Sequence, residues 1–438
     1  MHNGSEIIIG RPQYLEQLKK WKNQPDLIKI ITGVRRCGKS KLFYLYQFDL
    51  LANKEADYSQ IININLEDRL MTREIGLTLE ANNRMSGTDA LLDYIVKKLN
   101  PEKMNYVFLD EIQLLDDWQV VANTLRLRDN IDVYLTGSNA YMFSSDLANQ
   151  LGGRYIEIKM QPLSFREYFD AYPMFAQHYV RTRKDIESLR HPAYLYSHYI
   201  KEGGFPQTLS LVYDKQLIND YLMDTVYLNT IQKDVVRRFG IADGNKLEGV
   251  VRYLFDNIGN ETSIRGIERG LKSTGFSVSV PTISQYIQGL QDSYLLYKCE
   301  PFDIKGKQLL ETNAKYYVAD IGLRTALLGK EGADSGHILE NVVYLELIRR
   351  GYKVSLGKVY SKGRLVEVDF VATKSGGIVE YYQVSLSVQD TQTLERELEP
   401  LQAIDDNFPK FLLTMDYDES DNKGIKHINA LKWLLDFD

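Results

Sequence analysis

The stretch Ile30-Ile31-Thr32-Gly33-Val34-Arg35-Arg36-Cys37-Gly38-Lys39-Ser40 decides the fold of the amino-terminal part of this chain. It fits the pattern G-x-x-x-x-G-K-[ST]. An apolar run from Leu27 to Ile31 precedes it, and a helical pattern from Lys39 to Leu51 follows. That strand–loop–helix order is what a phosphate-binding P-loop requires. The glycines let successive backbone N–H groups turn inward around phosphate oxygens, and the helix N-terminus adds its partial positive charge. Lys39 is expected to reach the β- and γ-phosphates of ATP, and the Ser40 hydroxyl to ligate Mg²⁺. Gly33, Val34, Arg35, Arg36, Cys37 and Gly38 would supply the loop, and Arg11 a further nucleotide contact. The bland alternative is a glycine-containing turn that matches by accident.

A second motif centres on Asp110, 71 residues after Lys39. Tyr106-Val107-Phe108-Leu109 is a continuous apolar run, suited to a parallel strand buried on both faces. It ends in Asp110-Glu111. Alone, such a pair is ordinary helix N-terminus chemistry; after a P-loop it reads as a Walker B motif. Asp110 would hold the Mg²⁺ shell, and Glu111 would orient and deprotonate the attacking water.

A third run, Ile131 to Thr136, ends in Gly137-Ser138-Asn139. In nucleotide hydrolases of the AAA+ class a polar residue here contacts the γ-phosphate and the water. Asn139 is favoured over Ser138, against a simple turn closing the strand. After a helical stretch, Leu151-Gly152-Gly153-Arg154 precedes the strand-like run Tyr155 to Lys159. Arg154 occupies the slot of an arginine finger, acting on a neighbouring copy in a homo-oligomer. The alternative is an exposed or core-anchoring arginine beside a Gly-Gly turn.

The 438 residues allow two or three domains. Hydrophobic content of 44% and charged content of 26% are those of an ordinary globular protein. A net charge of −6 gives no bulk attraction to DNA or acidic membranes. Cys37 and Cys299 carry no metal spacing and no disulfide framework, which suits a reducing compartment. With no run of 18 apolar residues and no signal-peptide pattern, the expected location is the cytoplasm, without membrane association.

The periodicity predicts an α/β, doubly wound P-loop core over residues 1–160. A leading strand at Ile7–Arg11 comes first. Strands follow at Leu27–Thr32, Ile61–Leu66, Tyr106–Leu109, Ile131–Thr136 and Tyr155–Lys159. Residues 161–240 read as a helical lid, punctuated by Pro162, Pro173, Pro192 and Gly203-Gly204-Phe205-Pro206. Residues 241–310 carry a winged-helix pattern: a helix from Lys246 to Ile258, one after Ser263, and one capped by Thr282. Tyr294-Leu295-Leu296-Tyr297 would begin the wing. From Asn245 to Glu300, six Lys/Arg balance six Asp/Glu, and the presumed recognition helix offers Gln285, Tyr286 and Gln288. A phosphate-tracking surface should be basic, so DNA binding and a protein-interaction role stay open. Lys305 and Lys307, just beyond the wing, are the expected phosphate contacts.

Residues 311–438 change layout. A helix at His337–Arg350 precedes strands at Tyr352–Leu356, Leu365–Ala372 and Val379–Leu386. A helix at Thr391–Leu401, a strand at Lys410–Met415 and a helix at Ile428–Leu435 complete the pattern. Glu340, Asp369 and Gln383-Val384-Ser385 lie as the metal-binding residues of restriction-endonuclease-like folds lie. There a helix Glu, a strand Asp and a Glu-x-Lys hold Mg²⁺ and activate water. Gln383 is a poor Mg²⁺ ligand and Ser385 supplies no cation. Lys374 and Lys362 are the lysines near enough in sequence to fill the vacant role.

Taken together, the chain resembles a large family of bacterial and archaeal ATPases that join an AAA-type P-loop core to a winged helix and a restriction-endonuclease-like domain. The resemblance rests on Gly33 to Ser40, Leu109-Asp110-Glu111-Ile112-Gln113, Leu135-Thr136-Gly137-Ser138-Asn139, Gly153-Arg154, Pro162 to Tyr168 and Gly203 to Pro206. Lys315-Tyr316-Tyr317-Val318-Ala319-Asp320, Glu367-Val368-Asp369-Phe370 and Tyr382-Gln383-Val384-Ser385 extend it. It implies ATP binding and hydrolysis. Many members keep an acidic residue and a lysine where this chain has Gln383 and Ser385, a departure that argues against nuclease activity. The leading expectation is an Mg²⁺-dependent ATPase that drives conformational change on DNA or a partner protein. The rivals are an ATPase-nuclease of a defence or mobile-element type and a nucleotide-sensing DNA-binding regulator with little turnover.

Overall fold

A computed structural model describes residues 8–140, 150–176, 189–212, 214–237, 240–241, 243–310, 313–330, 334–417 and 419–435. The chain forms two compact units, Met1–Gln161 with Asp292–Tyr294, and Pro162–Gln291 with Leu295–Asp438. The helical stretch expected before Leu151 falls on residues 141–149, outside the described residues. Among the described residues no helix is long and apolar enough to cross a membrane.

The first unit is built on β1 (Ile28–Thr32), β2 (Ile61–Asn65), β3 (Asn105–Asp110), β4 (Ile131–Gly137) and β5 (Tyr155–Lys159), in the order β2-β3-β4-β1-β5. Every pairing is parallel. β1, β3 and β4 are buried at every position, as strands covered on both faces must be. One face packs Ile30, Val107, Leu109, Val133 and Leu135 against Trp118, Val121 and Leu125. The other is aromatic, with Phe108 stacked 4.9 Å from Tyr134 and edge-on to Phe43. Since the strands run parallel, their carboxyl ends share one edge. Thr32 pairs with Gly137, and Leu109 with Leu135, so three loops open at the same level.

The leading strand expected at Ile7–Arg11 is not formed over residues 8–11, which are irregular. Pro12 instead opens helix α1 (Pro12–Lys20), where a fixed φ and a missing N–H suit the first turn. Helix α2 (Lys39–Ala52) leaves the loop after β1.

The second unit contains helices α3 (Phe165–Ala176) and α4 (Pro192–Glu202), then π-helical turns at Tyr221–Leu228 and Ile231–Val236. Three helices follow: α5 (Gly244–Asp256), α6 (Ile264–Ser273) and α7 (Val280–Asp292). The ribbon of β6 (Leu296–Cys299) and β9 (Lys315–Val318) closes this segment. Ser263 caps α6 through Gly266 N–H. Thr282 does not cap α7, because Pro281 lets the helix start earlier and Ser279 lies ahead of it, accepting from Thr282 N–H at 3.4 Å. Tyr286 faces the core at 4% exposure, which removes it from any readout surface; Gln285 and Gln288 are exposed.

An eight-stranded mixed sheet dominates the rest. It comprises β7 (Pro301–Asp303), β8 (Gln308–Leu309), β10 (Lys353–Ser361), β11 (Arg364–Lys374), β12 (Ile378–Val384), β13 (Lys410–Thr414), β14 (Ser420–Asn422) and β15 (Ile425–Asn429). The order is β8-β7-β10-β11-β12-β13-β15-β14. β10 runs past the expected end at Leu356 because a bulge at Gly357 absorbs the register shift. The helix expected from Ile428 starts only at Ala430; Ile425–Asn429 is a strand paired with β13. Helix α8 (Ile321–Leu328) follows β9, and α9 (Ser335–Arg349) and α10 (Thr391–Gln402) pack on the sheet.

Candidate functional site

The P-loop lies at the carboxyl end of β1. Gly38 sits at φ 107° and Arg36 at φ 68°, the left-handed turns that bend the loop round. Gly33 is required for space as well as for φ: a Cβ there would meet the Met160 carbonyl oxygen at 1.9 Å. Lys39 Nζ reaches back across the loop to the carbonyls of Gly33 at 2.9 Å and Val34 at 3.1 Å. Arg11, expected to touch nucleotide, braces the loop itself. Its guanidinium donates to Cys37 O at 2.9 Å and Gln161 O at 2.7 Å and is 3% exposed.

Asp110 ends β3 facing this loop. Its carboxylate accepts from the hydroxyls of Ser40 and Thr136. Burial raises its pKa; the two hydroxyls and the Lys39 charge act against that rise, and Glu111 adds to it. Glu111 stands at φ 54°. For a residue with a Cβ this is a strained conformation, held by Thr136 Oγ1, which accepts from Glu111 N–H at 2.9 Å. Gln113 Nε2 donates to Glu111 Oε2 and, at 3.2 Å, to Ser138 Oγ. The structure therefore brings Lys39, Ser40, Asp110, Glu111 and Ser138 together, with Asn139 next along the chain. Thr136 and Gln113 were missed by the motif reading.

The donor set fits a nucleotide with Mg²⁺: loop amides and an ammonium for phosphate, and a hydroxyl and a carboxylate as hard oxygen ligands. Arg154 lies elsewhere. It precedes β5 at the amino-terminal end of the sheet, exposed, 3.5 Å from Asp26. A strand of five residues spans about 17 Å, so Arg154 stays clear of its own P-loop.

The acidic residues of the carboxy-terminal sheet line a cavity of about 560 Å³ together with His337, Ser385, Arg396 and Glu397. Glu340 on α9 and Asp369 on β11 do come together, and Glu367, two residues before Asp369 on the same face, joins them. The cation among them is Lys315 of β9, with Nζ 2.8 Å from Glu340, 2.6 Å from Glu367 and 3.5 Å from Asp369. The lysines suggested by sequence proximity are elsewhere: Lys374 lies over the Tyr352 ring and Lys362 beside Glu399. Gln383 donates to Glu397 at 2.9 Å and accepts from Asp369 N–H at 3.3 Å. Ser385 donates to the Ser387 carbonyl. Full burial and the charge of Glu340 hold the Asp369 carboxyl well above its ordinary pKa despite Lys315. Burial acts to lower the Lys315 pKa, yet Glu340, Asp369 and Glu367 together hold it well above the usual lysine value.

Comparison with known proteins identifies the domain that carries the first site. A family described as an AAA domain matches residues 25–169, and a domain of unknown function (DUF8612) matches residues 193–334. An uncharacterized protein of Haemophilus influenzae is 36% identical over 98% of this chain and 100% of its own length. One of Methanocaldococcus jannaschii is 31% identical over 85% of this chain and 78% of its own. Among solved structures, a Walker-type ATPase of Pyrococcus abyssi aligns with a TM-score of 0.48 at 15% identity, covering 74% of this chain and 97% of that one. The DNA-bound ORC1 protein of Aeropyrum pernix gives 0.31 at 13% identity, covering 74% and 94%. On the matched domain and a relative that aligns end to end, the chain belongs to this family of AAA-type P-loop ATPases.

Proposed function

We propose that the protein is an Mg²⁺-dependent ATPase that couples hydrolysis to a conformational change on DNA or a partner protein. The observation that carries this reading is Asp110, held against Ser40 by one hydrogen bond and against Thr136 by another, directly before a strained Glu111. Loop amides and Lys39 bind the phosphates. Mg²⁺, when held by Ser40 and Asp110, neutralises developing phosphate charge. Glu111 takes the proton of the attacking water, with Gln113 and Ser138 fixing its carboxylate and Asn139 on the γ-phosphate side. Arg154, remote from its own loop, serves a neighbouring copy.

In this reading residues 161–240 form a lid and residues 241–310 a winged helix. Its third helix exposes Gln285 and Gln288 and no cation, so any DNA contact is weak and unselective, made through Lys305 and Lys307. The carboxy-terminal domain is a nuclease-like fold that does not cut, because Gln383 and Ser385 stand where an acid and a lysine are needed.

Steady-state ATPase assays with and without duplex DNA test the reading. Glu111→Gln is expected to retain nucleotide and lose about 10²-fold or more in turnover, the range of general-base contributions. Lys39→Ala is expected to weaken nucleotide binding itself. Wild-type turnover in Glu111→Gln would remove the assignment.

A further inference from the structure

Glu340, Glu367 and Asp369 converge on one point, and that point is an amine of the protein itself. Their oxygens lie 2.6 to 3.5 Å from Lys315 Nζ. The closer contacts are those of ammonium with carboxylate, about 2.7–2.9 Å. Magnesium–oxygen distances are about 2.1 Å and calcium–oxygen distances about 2.3–2.6 Å. Among the described residues, no group of three or more His, Cys, Asp and Glu is arranged to hold a metal ion.

Further donors occupy the same carboxylates. Glu340 Oε1 accepts from the Tyr317 hydroxyl at 2.5 Å, and Asp369 Oδ2 from Val384 N–H at 2.8 Å. Glu367 takes a second cation, Lys358, at 3.1 Å. Lys315 has nowhere else to go. Its side chain is 6% exposed, and its strand is fixed in register by Cys299 opposite it.

We infer that Lys315 is a built-in counter-cation, standing where the carboxylates of this cavity would otherwise gather a divalent metal ion, and that the wild-type domain binds none there. The reading goes beyond the loss of Gln383 and Ser385. A metal ion arriving at the cluster would have to expel a buried ammonium from the acids that neutralise it, and the buried Glu340 and Asp369 and the half-buried Glu367, left without it, would repel one another. The seat is filled, not merely short of a ligand.

Two substitutions separate charge from shape. Lys315→Ala removes the ammonium and opens its space, whereas Lys315→Met removes the charge and fills the stem volume. Both are expected to lower the melting temperature of the nucleotide-free, full-length chain by about 10 °C, the size expected for breaking a buried ion cluster. Millimolar Mn²⁺ should restore most of that loss in Lys315→Ala, little in Lys315→Met, and should leave wild type unchanged.

Mn²⁺ electron paramagnetic resonance supplies a measurement that needs no change at Lys315. Wild type and Glu367→Gln, whose side chain lies at the cavity rim, should bind equal amounts of Mn²⁺. A wild-type Mn²⁺ site that disappears in Glu367→Gln or Asp369→Asn overturns the inference. So does a folded Lys315→Ala that neither loses stability nor responds to Mn²⁺. None of these readouts uses nucleotide, so their failure is distinct from failure of the ATPase reading.

Discussion

Lys39 and Lys315 are both buried lysines standing among acidic side chains, yet their ammonium groups face different partners. Lys39 rests on two backbone carbonyls, while nearby Asp110 is satisfied by the hydroxyls of Ser40 and Thr136. Lys315 rests on three carboxylates. A lysine held by neutral carbonyls can exchange them for phosphate oxygens without uncovering a charge. A lysine that neutralises three acids cannot leave without exposing all of them to one another. The same residue types thus make an open site in one unit and a closed one in the other, according to where the positive charge is seated.

The largest effect expected from breaking this contrast is at Arg154. If the P-loop site is open to a neighbouring copy, Arg154→Ala should reduce turnover about 10³-fold, the lower range for an arginine finger, without unfolding the chain. Turnover per subunit should rise with protein concentration in wild type. Concentration-independent hydrolysis by a strict monomer would rule the finger out.

A second buried acid sharpens the comparison. Among the described residues no cation pairs with Asp320; its carboxylate accepts from Gly204 N–H at 2.6 Å and Leu323 N–H at 2.8 Å. Burial raises its pKa from 3.8 to about 6 against the pull of those amides. The native state therefore keeps a proton that the unfolded chain has released, so stability falls as pH rises from 3.8 to about 6 and is level above. Two pKa units correspond to about 3 kcal/mol. Urea melts of wild type and Asp320→Asn across this range should differ by that slope; parallel curves would show that Asp320 is not its source.

The smallest effect is expected at Gln113. Releasing Glu111 from its clamp with Gln113→Ala should lower kcat about 10-fold, within the ~10²-fold that misplacing a reacting group can cost. Nucleotide affinity should stay unchanged. An unaltered kcat would leave Gln113 a bystander.

The five strands of the parallel sheet were legible to within a residue or two, and the signal is strongest in β1, β3 and β4, whose apolar runs are buried on both faces. The P-loop and Asp110-Glu111 were legible as motifs. Thr136 and Gln113 were not, since their importance comes from parallel register that sets β4 beside β3. Lys315 was visible only as part of a motif. Its partners Glu340, Glu367 and Asp369 lie 25, 52 and 54 residues away, and no local spacing joins them to it. Gln383 and Ser385 were legible as departures from an acid and a lysine, whereas the lysines chosen by sequence proximity lie elsewhere, Lys374 over the Tyr352 ring and Lys362 beside Glu399. Ile428 and Asn429 were read as the start of a helix but end strand β15, because periodicity over so short a run cannot separate the two states.

Arg11 carries one more consequence. One nitrogen of its guanidinium holds the carbonyl of Cys37 within the loop, and another holds that of Gln161, the last residue before the chain leaves the first unit at Pro162. Beside it, Gly33 allows the loop to press on Met160. The cradle and the exit of the chain are thus fastened by the same rivet.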